Sequence, residues 1–172
     1  PLAPPKPRLS APGCYLWGEV GRGKTLMMDL FALSLQQPHG VANKGVVVRR
    51  AHFHDFMHGV HQRIGKLRSE GSRAGVSAVV DETAAGGPAV LCFDEFQITN
   101  IADATLIMPL FSELFTREVV LVATSNRPPT DLYKGGLNRE LHMPVFVGAL
   151  ERRLHVHYLD APVDYRAKMR KA

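Results

Sequence analysis

The sequence contains no apolar run approaching the roughly 20 residues that a membrane-spanning helix requires. We also expect no secretory signal, and no internal repeat recurs. Cysteine is scarce: Cys14 and Cys92 both fall in runs that predict buried strands, so neither a disulfide framework nor a cysteine metal pair is expected. Two isolated thiols of this kind suit a reducing compartment.

A large excess of charge of one sign is missing as well. The formal net charge is +5, with 22% charged and 45% hydrophobic residues, which is typical of a globular chain. This charge permits contact with nucleic acid or an anionic membrane without requiring either, so peripheral membrane association stays open and no clear nucleic-acid site is indicated. We predict a proline-rich lead-in over residues 1–12, one core domain over 13–166 and a basic tail over 167–172.

A glycine-rich segment, residues 18–25, dominates what is present. It reads Gly-Glu-Val-Gly-Arg-Gly-Lys-Thr and matches the phosphate-binding pattern G-x-x-x-x-G-K-[ST] throughout. The short apolar run before it predicts a strand, and the run after it predicts a helix. Glycines allow backbone N–H groups to surround phosphate oxygens, and a helix N-terminus adds partial positive charge. The predicted nucleotide-contacting residues are Gly18, Glu19, Val20, Gly21, Arg22, Gly23, Lys24 and Thr25.

Within this loop, Lys24 is expected to reach the β- and γ-phosphates, and Thr25 to hold Mg²⁺. A chance glycine-rich turn would give the same local pattern, so the prediction needs a second element. We expect the helix after the loop to bury one face, formed by Met27, Leu30, Phe31 and Ser34.

The second element is the apolar run 89–93, which ends in Asp94 and Glu95. In parallel sheets, ligands bind at the carboxyl ends of buried strands. Asp94 is therefore a candidate to bind Mg²⁺ through water, and Glu95 to polarise an attacking water. A solvated strand end would also carry two carboxylates. Asn126, at the tip of a later strand, is a candidate to orient that water or to contact the γ-phosphate, although asparagine is also common in turns.

Alternating apolar runs predict five strands separated by helices, and hence a parallel α/β sheet with right-handed crossovers. Helices are predicted over 54–68, 101–117 and 144–153, with a kink at Pro109. The first of these helices carries His54, His58 and His61 along one stripe. A metal site is conceivable there, but a polar stripe beside the apolar face is favoured.

Six blocks of this sequence resemble the ZapE-type AAA+ ATPases, a family with bacterial cell-division and mitochondrial members. The likeness covers about residues 13–166, and its most specific parts are His-Phe-His, Asp-Glu-Phe-Gln and Gly-Leu-x-Arg. The matching blocks are residues 13–25, 51–57, 91–99, 123–129, 131–139 and 163–166.

The resemblance implies the AAA+ P-loop NTPase core with strand order 5-1-4-3-2, and ATP as substrate. It makes Lys24 and Thr25 Walker A ligands, Asp94 and Glu95 the Walker B pair, and Asn126 the sensor-1 residue. Arg139 matches the family's candidate arginine finger, which acts on a neighbouring subunit in a ring, usually a hexamer; a surface arginine near a helix start is the alternative.

The sequence departs from the family pattern in several places. Asn100 stands where Asp is more usual, and Pro109 interrupts a helix that is usually continuous. The family's helical lid, which supplies part of the adenine pocket, is expected to be absent after the Val-Asp-Tyr-Arg block. Phe56 lies where AAA+ translocases carry a pore loop, but it also falls on the apolar helix face.

We therefore expect a Mg²⁺-dependent ATPase that couples ATP hydrolysis to remodelling of a protein partner. The resemblance favours the mitochondrial branch, matrix or inner-membrane-associated, over the bacterial cytoplasm. Two alternatives stay open: a nucleic-acid-linked ATPase of the initiator or helicase-loader type, and a nucleotide-gated scaffold with little turnover.

Overall fold

The computed structural model describes residues 11–37, 45–73, 75–85, 87 and 89–160. Most of the lead-in predicted over 1–12, the Val-Asp-Tyr-Arg block at 163–166 and the basic tail over 167–172 lie outside the described residues. Within the described ranges, no helix is both long enough and apolar enough to cross a bilayer.

The centre of the fold is a five-stranded sheet in which every pairing is parallel. The strands are β1 (Gly13–Trp17), β2 (Val47–His52), β3 (Ala89–Asp94), β4 (Val120–Ser125) and β5 (Leu154–Tyr158). They lie in the spatial order β2-β3-β4-β1-β5, which confirms the predicted order 5-1-4-3-2 read from the opposite edge.

Helices connect the strands in the alternating pattern that the sequence predicts. They are α1 (Lys24–Gln36), α2 (Phe53–Ser69), α3 (Gly75–Thr83), α4 (Ile101–Thr116) and α5 (Arg139–Arg153), with a short 3₁₀ helix at Pro129–Asp131. Helix α5 begins five residues before the predicted start, with Pro144 inside it, because Met143 and Phe146 pack into the core on either side. Helix α4 runs through Pro109, and Asn100 is its N-cap, accepting a hydrogen bond from the Asp103 N–H.

The two faces of the sheet are covered unequally in the described part of the chain. Helices α2 to α5 contact one another in sequence and enclose the larger core, in which the β3 side chains Leu91 and Phe93 are buried. Helix α1 packs on the other face, where a small cluster joins Met28 and Ala32 to Val90 and Cys92 of β3. Strand β3 is buried at all six positions, which explains the apolar run over 89–93 that precedes Asp94.

The predicted packing face of α1 is wrong. Met28 and Ala32 are buried, whereas Met27, Leu30 and Phe31 are 48%, 58% and 39% exposed. The helix is apolar nearly all round, so its periodicity does not define a single face. Burial follows instead from the register that the glycine loop imposes on the helix start. By contrast, Phe56 on α2 packs half-buried against Phe93, with ring centroids 4.6 Å apart.

Candidate functional site

The parallel register places the glycine loop, the Asp94–Glu95 pair and Asn126 at the same, carboxyl end of the sheet. Strand β4 lies between β1 and β3, with Trp17 paired to Ser125 on one side and Phe93 paired to Ala123 on the other. The glycine loop leaves the end of β1, and Asp94 ends β3. The loop and the carboxylates, distant in sequence, therefore emerge on either side of the end of β4.

The glycine loop is anchored to the strands and has little room for side chains at its base. The Gly18 N–H donates to the Ser125 carbonyl at 3.2 Å, and a Cβ at Gly18 would lie only 2.8 Å from the Leu159 carbonyl oxygen. Gly21 and Gly23 adopt left-handed backbone angles, φ 85° and 82°, which other residues adopt at a cost. Gly23 is also the N-cap of α1, and this cap position makes no side-chain hydrogen bond to the first turn.

The side chain of Lys24, the first residue of α1, folds back against this loop. Its Nζ donates to the carbonyls of Gly18 at 2.8 Å and Glu19 at 2.7 Å, and the residue is only 8% exposed. An ammonium group held against loop carbonyls beside a helix N-terminus suits an anion such as phosphate. Arg22 and Glu19 form an ion pair at 2.7 Å across the loop. The segment from Gly18 to Gly23 thus forms a loop directly before α1, and Lys24 and Thr25 are the first two residues of that helix.

Asp94 is 2% exposed and is held by three partners. Its Oδ1 accepts hydrogen bonds from the Thr124 hydroxyl and from the Glu95 N–H, the latter at 3.1 Å. The Arg50 guanidinium approaches Oδ2 at 3.4 Å. Hydrogen bonds from these donors hold the buried carboxylate in one direction. Sequence reasoning missed Thr124, although a polar residue within an apolar strand was a signal that could have found it.

Glu95 is exposed and has a left-handed backbone, φ 53°, between buried Asp94 and buried Phe96. Such a conformation in a residue other than glycine costs on the order of 1–3 kcal/mol and is concentrated at functional sites. The side chain lines a cavity of about 240 Å³ together with Asn126, so the structure brings these two predicted residues together. The full lining is Glu95, Phe96, Gln97, Ser125, Asn126 and Arg127.

A network of buried hydroxyls supports the segment that carries Asn126. The Ser125 hydroxyl donates to the Phe96 carbonyl at 2.8 Å and accepts from the Arg127 N–H at 3.2 Å. The Tyr15 hydroxyl donates to the Arg127 carbonyl at 3.0 Å. Burial raises the pKa of Tyr15, so the phenol stays protonated and keeps donating at neutral pH. These bonds fix the backbone on both sides of Asn126, whose own side chain is exposed.

Thr25 and Asp94 fit the chemistry of a Mg²⁺ site. Thr25 is exposed at the second position of α1, and Asp94 lies at the end of β3, so the predicted donors are all oxygen atoms. Oxygen donors and retained water are what Mg²⁺ prefers. The residues present therefore suit the nucleotide and metal that the loop implies.

Arg139 is the first residue of α5, and its side chain forms hydrogen bonds to nearby backbone carbonyls. Its Nε donates to the Leu132 carbonyl at 3.2 Å, and its Nη2 donates to the Thr130 carbonyl. Asn138, just before it, is left-handed at φ 54°. The guanidinium therefore holds the turn before α5, and its predicted role as a finger stays a prediction.

The histidine stripe of α2 has a partner that the sequence did not indicate. His61 Nε2 lies 2.8 Å from Oδ1 of Asp103, which is 4% exposed on α4, and His58 contacts Gln62 at 2.9 Å. Among the described residues, no group of three or more potential metal ligands is brought together. His61 is better explained as the partner of a buried carboxylate.

Comparison with known proteins identifies relatives of this chain. The family model described as "AFG1-like ATPase" matches residues 5–172. "Cell division protein ZapE" of Escherichia coli is 42% identical over 156 residues, which cover 91% of this chain and 38% of that protein. "Lactation elevated protein 1 homolog B" of Danio rerio is 40% identical over 167 residues, covering 92% of this chain and 31% of its own length. The chain thus spans about a third of the length of these relatives.

Solved structures share the fold at low sequence identity. An AMPPCP-bound DnaA from Aquifex aeolicus has a TM-score of 0.59 at 17% identity, covering 94% of this chain and 44% of its own. A structure of DnaI has a TM-score of 0.63 at 15% identity, covering 94% of this chain and 77% of its own. Both comparisons support the P-loop AAA+ architecture.

Proposed function

Because the chain belongs to the AFG1-like ATPase family, we propose that it binds ATP with Mg²⁺ and hydrolyses the bond between the β- and γ-phosphates. The observation that carries the proposal is the arrangement around the end of β4. The loop with Lys24 lies on one side of that strand, and Asp94 with Glu95 lies on the other.

The loop residues would bind the triphosphate. Lys24 would exchange the carbonyls of Gly18 and Glu19 for phosphate oxygens, which form stronger, charge-assisted hydrogen bonds. The left-handed glycines keep the backbone open to the ligand. Thr25 and Asp94 would hold Mg²⁺, which when bound neutralises phosphate charge.

Glu95 and Asn126 would position the water that attacks the γ-phosphate. Both line the same cavity, so an attacking water there can donate a hydrogen bond to the Glu95 carboxylate and contact the Asn126 amide. The water oxygen attacks the γ-phosphorus, the bond to the bridging oxygen breaks, and ADP leaves with inorganic phosphate. Glu95 orients the water and accepts its proton before that proton passes to phosphate or solvent.

Phosphate release tests this proposal. Wild type and Glu95→Gln are compared at saturating ATP and Mg²⁺, with binding of a fluorescent non-hydrolysable ATP analogue measured in parallel. Glu95→Gln should bind the analogue as wild type does but release phosphate about 10²–10⁴-fold more slowly. Equal, slow release by both proteins would instead support a nucleotide-gated scaffold.

We further propose that hydrolysis remodels a protein partner in a homo-oligomeric ring, with Arg139 reaching the γ-phosphate of a neighbouring copy. Arg139 would have to leave the Thr130 and Leu132 carbonyls to do so. Specific ATPase activity should then rise with protein concentration, and Arg139→Ala should remove this rise while leaving analogue binding nearly intact. Stimulation by DNA would favour a nucleic-acid-linked ATPase.

The proposed location is the mitochondrion, either in the matrix or at the inner membrane, and the bacterial cytoplasm is the alternative. The support is the likeness of Asp-Glu-Phe-Gln-x-Thr and Ser-Asn-Arg-Pro-Pro to the mitochondrial branch, a likeness that some bacterial members share, together with a net charge of +5 that suits an anionic surface. Fractionation of cells that express the chain, with and without a high-salt wash, distinguishes these locations.

A further inference from the structure

One arginine outside the predicted site touches the carboxylate proposed to bind Mg²⁺. Arg50 lies on β2, and its Nη2 is 3.4 Å from Asp94 Oδ2. Its neighbours Val47 and Ala51 pack against the larger core, whereas Val48 packs with the α1 cluster. Since side chains alternate along a strand, Arg50 shares the α1 face with Val48.

A second carboxylate competes for the same guanidinium. Asp29 of α1 lies one helical turn after Thr25, and its Oδ1 is 2.6 Å from the Arg50 Nε. The contact is close, yet the buried Arg50 Nε makes no hydrogen bond. The two side chains therefore form an ion pair in which the Nε–H bond does not point at the Asp29 oxygen. A small rotation toward Asp29 would give this N–H a proper acceptor.

We propose that Arg50 is a positioning residue that moves from Asp94 to Asp29 when Mg²⁺ loads with nucleotide. This proposal rests on the function proposed above. A cation near Asp94 repels the guanidinium and takes over the neutralisation of that carboxylate. Asp29 then receives Arg50, and the rotation completes the missing hydrogen bond of the Nε.

The arrangement predicts opposite effects of two substitutions on metal binding. Arg50→Met removes the competing cation, so half-maximal tightening of nucleotide binding should need less free Mg²⁺. Asp29→Asn removes the charge that receives Arg50, so the midpoint should rise. Each shift should be about two- to fivefold, the range expected for partly exposed ion pairs.

The test follows a fluorescent non-hydrolysable ATP analogue on the full chain as free Mg²⁺ is titrated, so the readout does not depend on turnover. Arg49→Met is the matched control, because Arg49 is exposed on the same strand and its guanidinium donates to the Glu82 carbonyl at 3.3 Å. Its midpoint should equal that of wild type. Arg50→Lys keeps the charge and should lie closer to wild type than Arg50→Met does.

The double variant separates this role from a simple charge effect. In the Arg50→Met background, Asp29→Asn should no longer change the midpoint, since no guanidinium is left to receive. If Asp29→Asn has the same effect in both backgrounds, or if the midpoints of all variants agree, the proposal is wrong. If Arg50→Met does not fold, an unchanged midpoint in Asp29→Asn alone overturns it. Failure of wild type to bind the analogue overturns the proposed function and this proposal together.

Discussion

Replacing Thr124 with valine should destabilise the protein far more than the small change in shape suggests. The Thr124 side chain is buried on β4, and its hydroxyl donates to Oδ1 of Asp94 on the neighbouring strand. Valine keeps the β-branched shape that strands favour but removes the donor. Asp94 Oδ1 would then retain only the Glu95 N–H as a donor.

The size of the effect follows from the charge and burial of the acceptor. A hydrogen bond to a charged group contributes about 1.5–3 kcal/mol to the free energy of unfolding. Asp94 is 2% exposed, so water does not replace the lost donor. With a urea dependence of about 2 kcal/mol per molar, the unfolding midpoint should fall by roughly 1 M.

Urea unfolding followed by circular dichroism measures this change. Thr124→Ser is the control, because serine keeps the hydroxyl and loses only a methyl group, so it should retain most of the stability that valine loses. A Thr124→Val midpoint equal to that of wild type, or a larger loss in Thr124→Ser than in Thr124→Val, would show that the hydroxyl does not stabilise Asp94.

Three further outcomes are expected. Met28→Ala should lower the free energy of unfolding by about 2–5 kcal/mol, whereas Met27→Ala should change it by less than about 0.5 kcal/mol; equal urea midpoints would contradict the observed packing face. Gly23→Ala forces a side chain to adopt φ 82° and should cost about 1–2 kcal/mol in urea unfolding while weakening analogue binding; unchanged binding would argue against phosphate binding by the loop. Burial raises the pKa of the Cys92 thiol to about 11, so in a Cys14→Ser variant a thiol reagent at pH 8 should react only after urea unfolds the chain; rapid labelling of folded protein would contradict this.

Local patterns in the sequence were sufficient to place the strands and the nucleotide motif. The run 89–93 is apolar at every position because both faces of β3 are covered, and this pattern can be recognised without knowing which strands pair with it. The order of the strands came from family resemblance, since periodicity does not specify which strands are adjacent. Helix α1 shows the limit of periodicity: with apolar residues nearly all round, the buried side could not be chosen from the sequence.

The site residues that the sequence did not indicate share one property: each contacts a residue on a neighbouring strand. Thr124 and Arg50 meet Asp94 only because β3 lies between β4 and β2. No spacing along the chain encodes such a contact. The start of α5 was predicted wrongly for a different reason. Proline often occurs at the first position of a helix, but here Pro144 lies inside α5, between two side chains that are buried in the core.

The left-handed backbone at Glu95 has a consequence for any effort to make this protein more robust. Glycine or asparagine would relax that conformation, so a search guided by thermal tolerance alone would choose one of them at this position. Either choice would delete the carboxylate that faces the cavity. Selection for stability and selection for ATP turnover thus favour different amino acids at residue 95. A stabilised variant should therefore be tested for turnover before it is used.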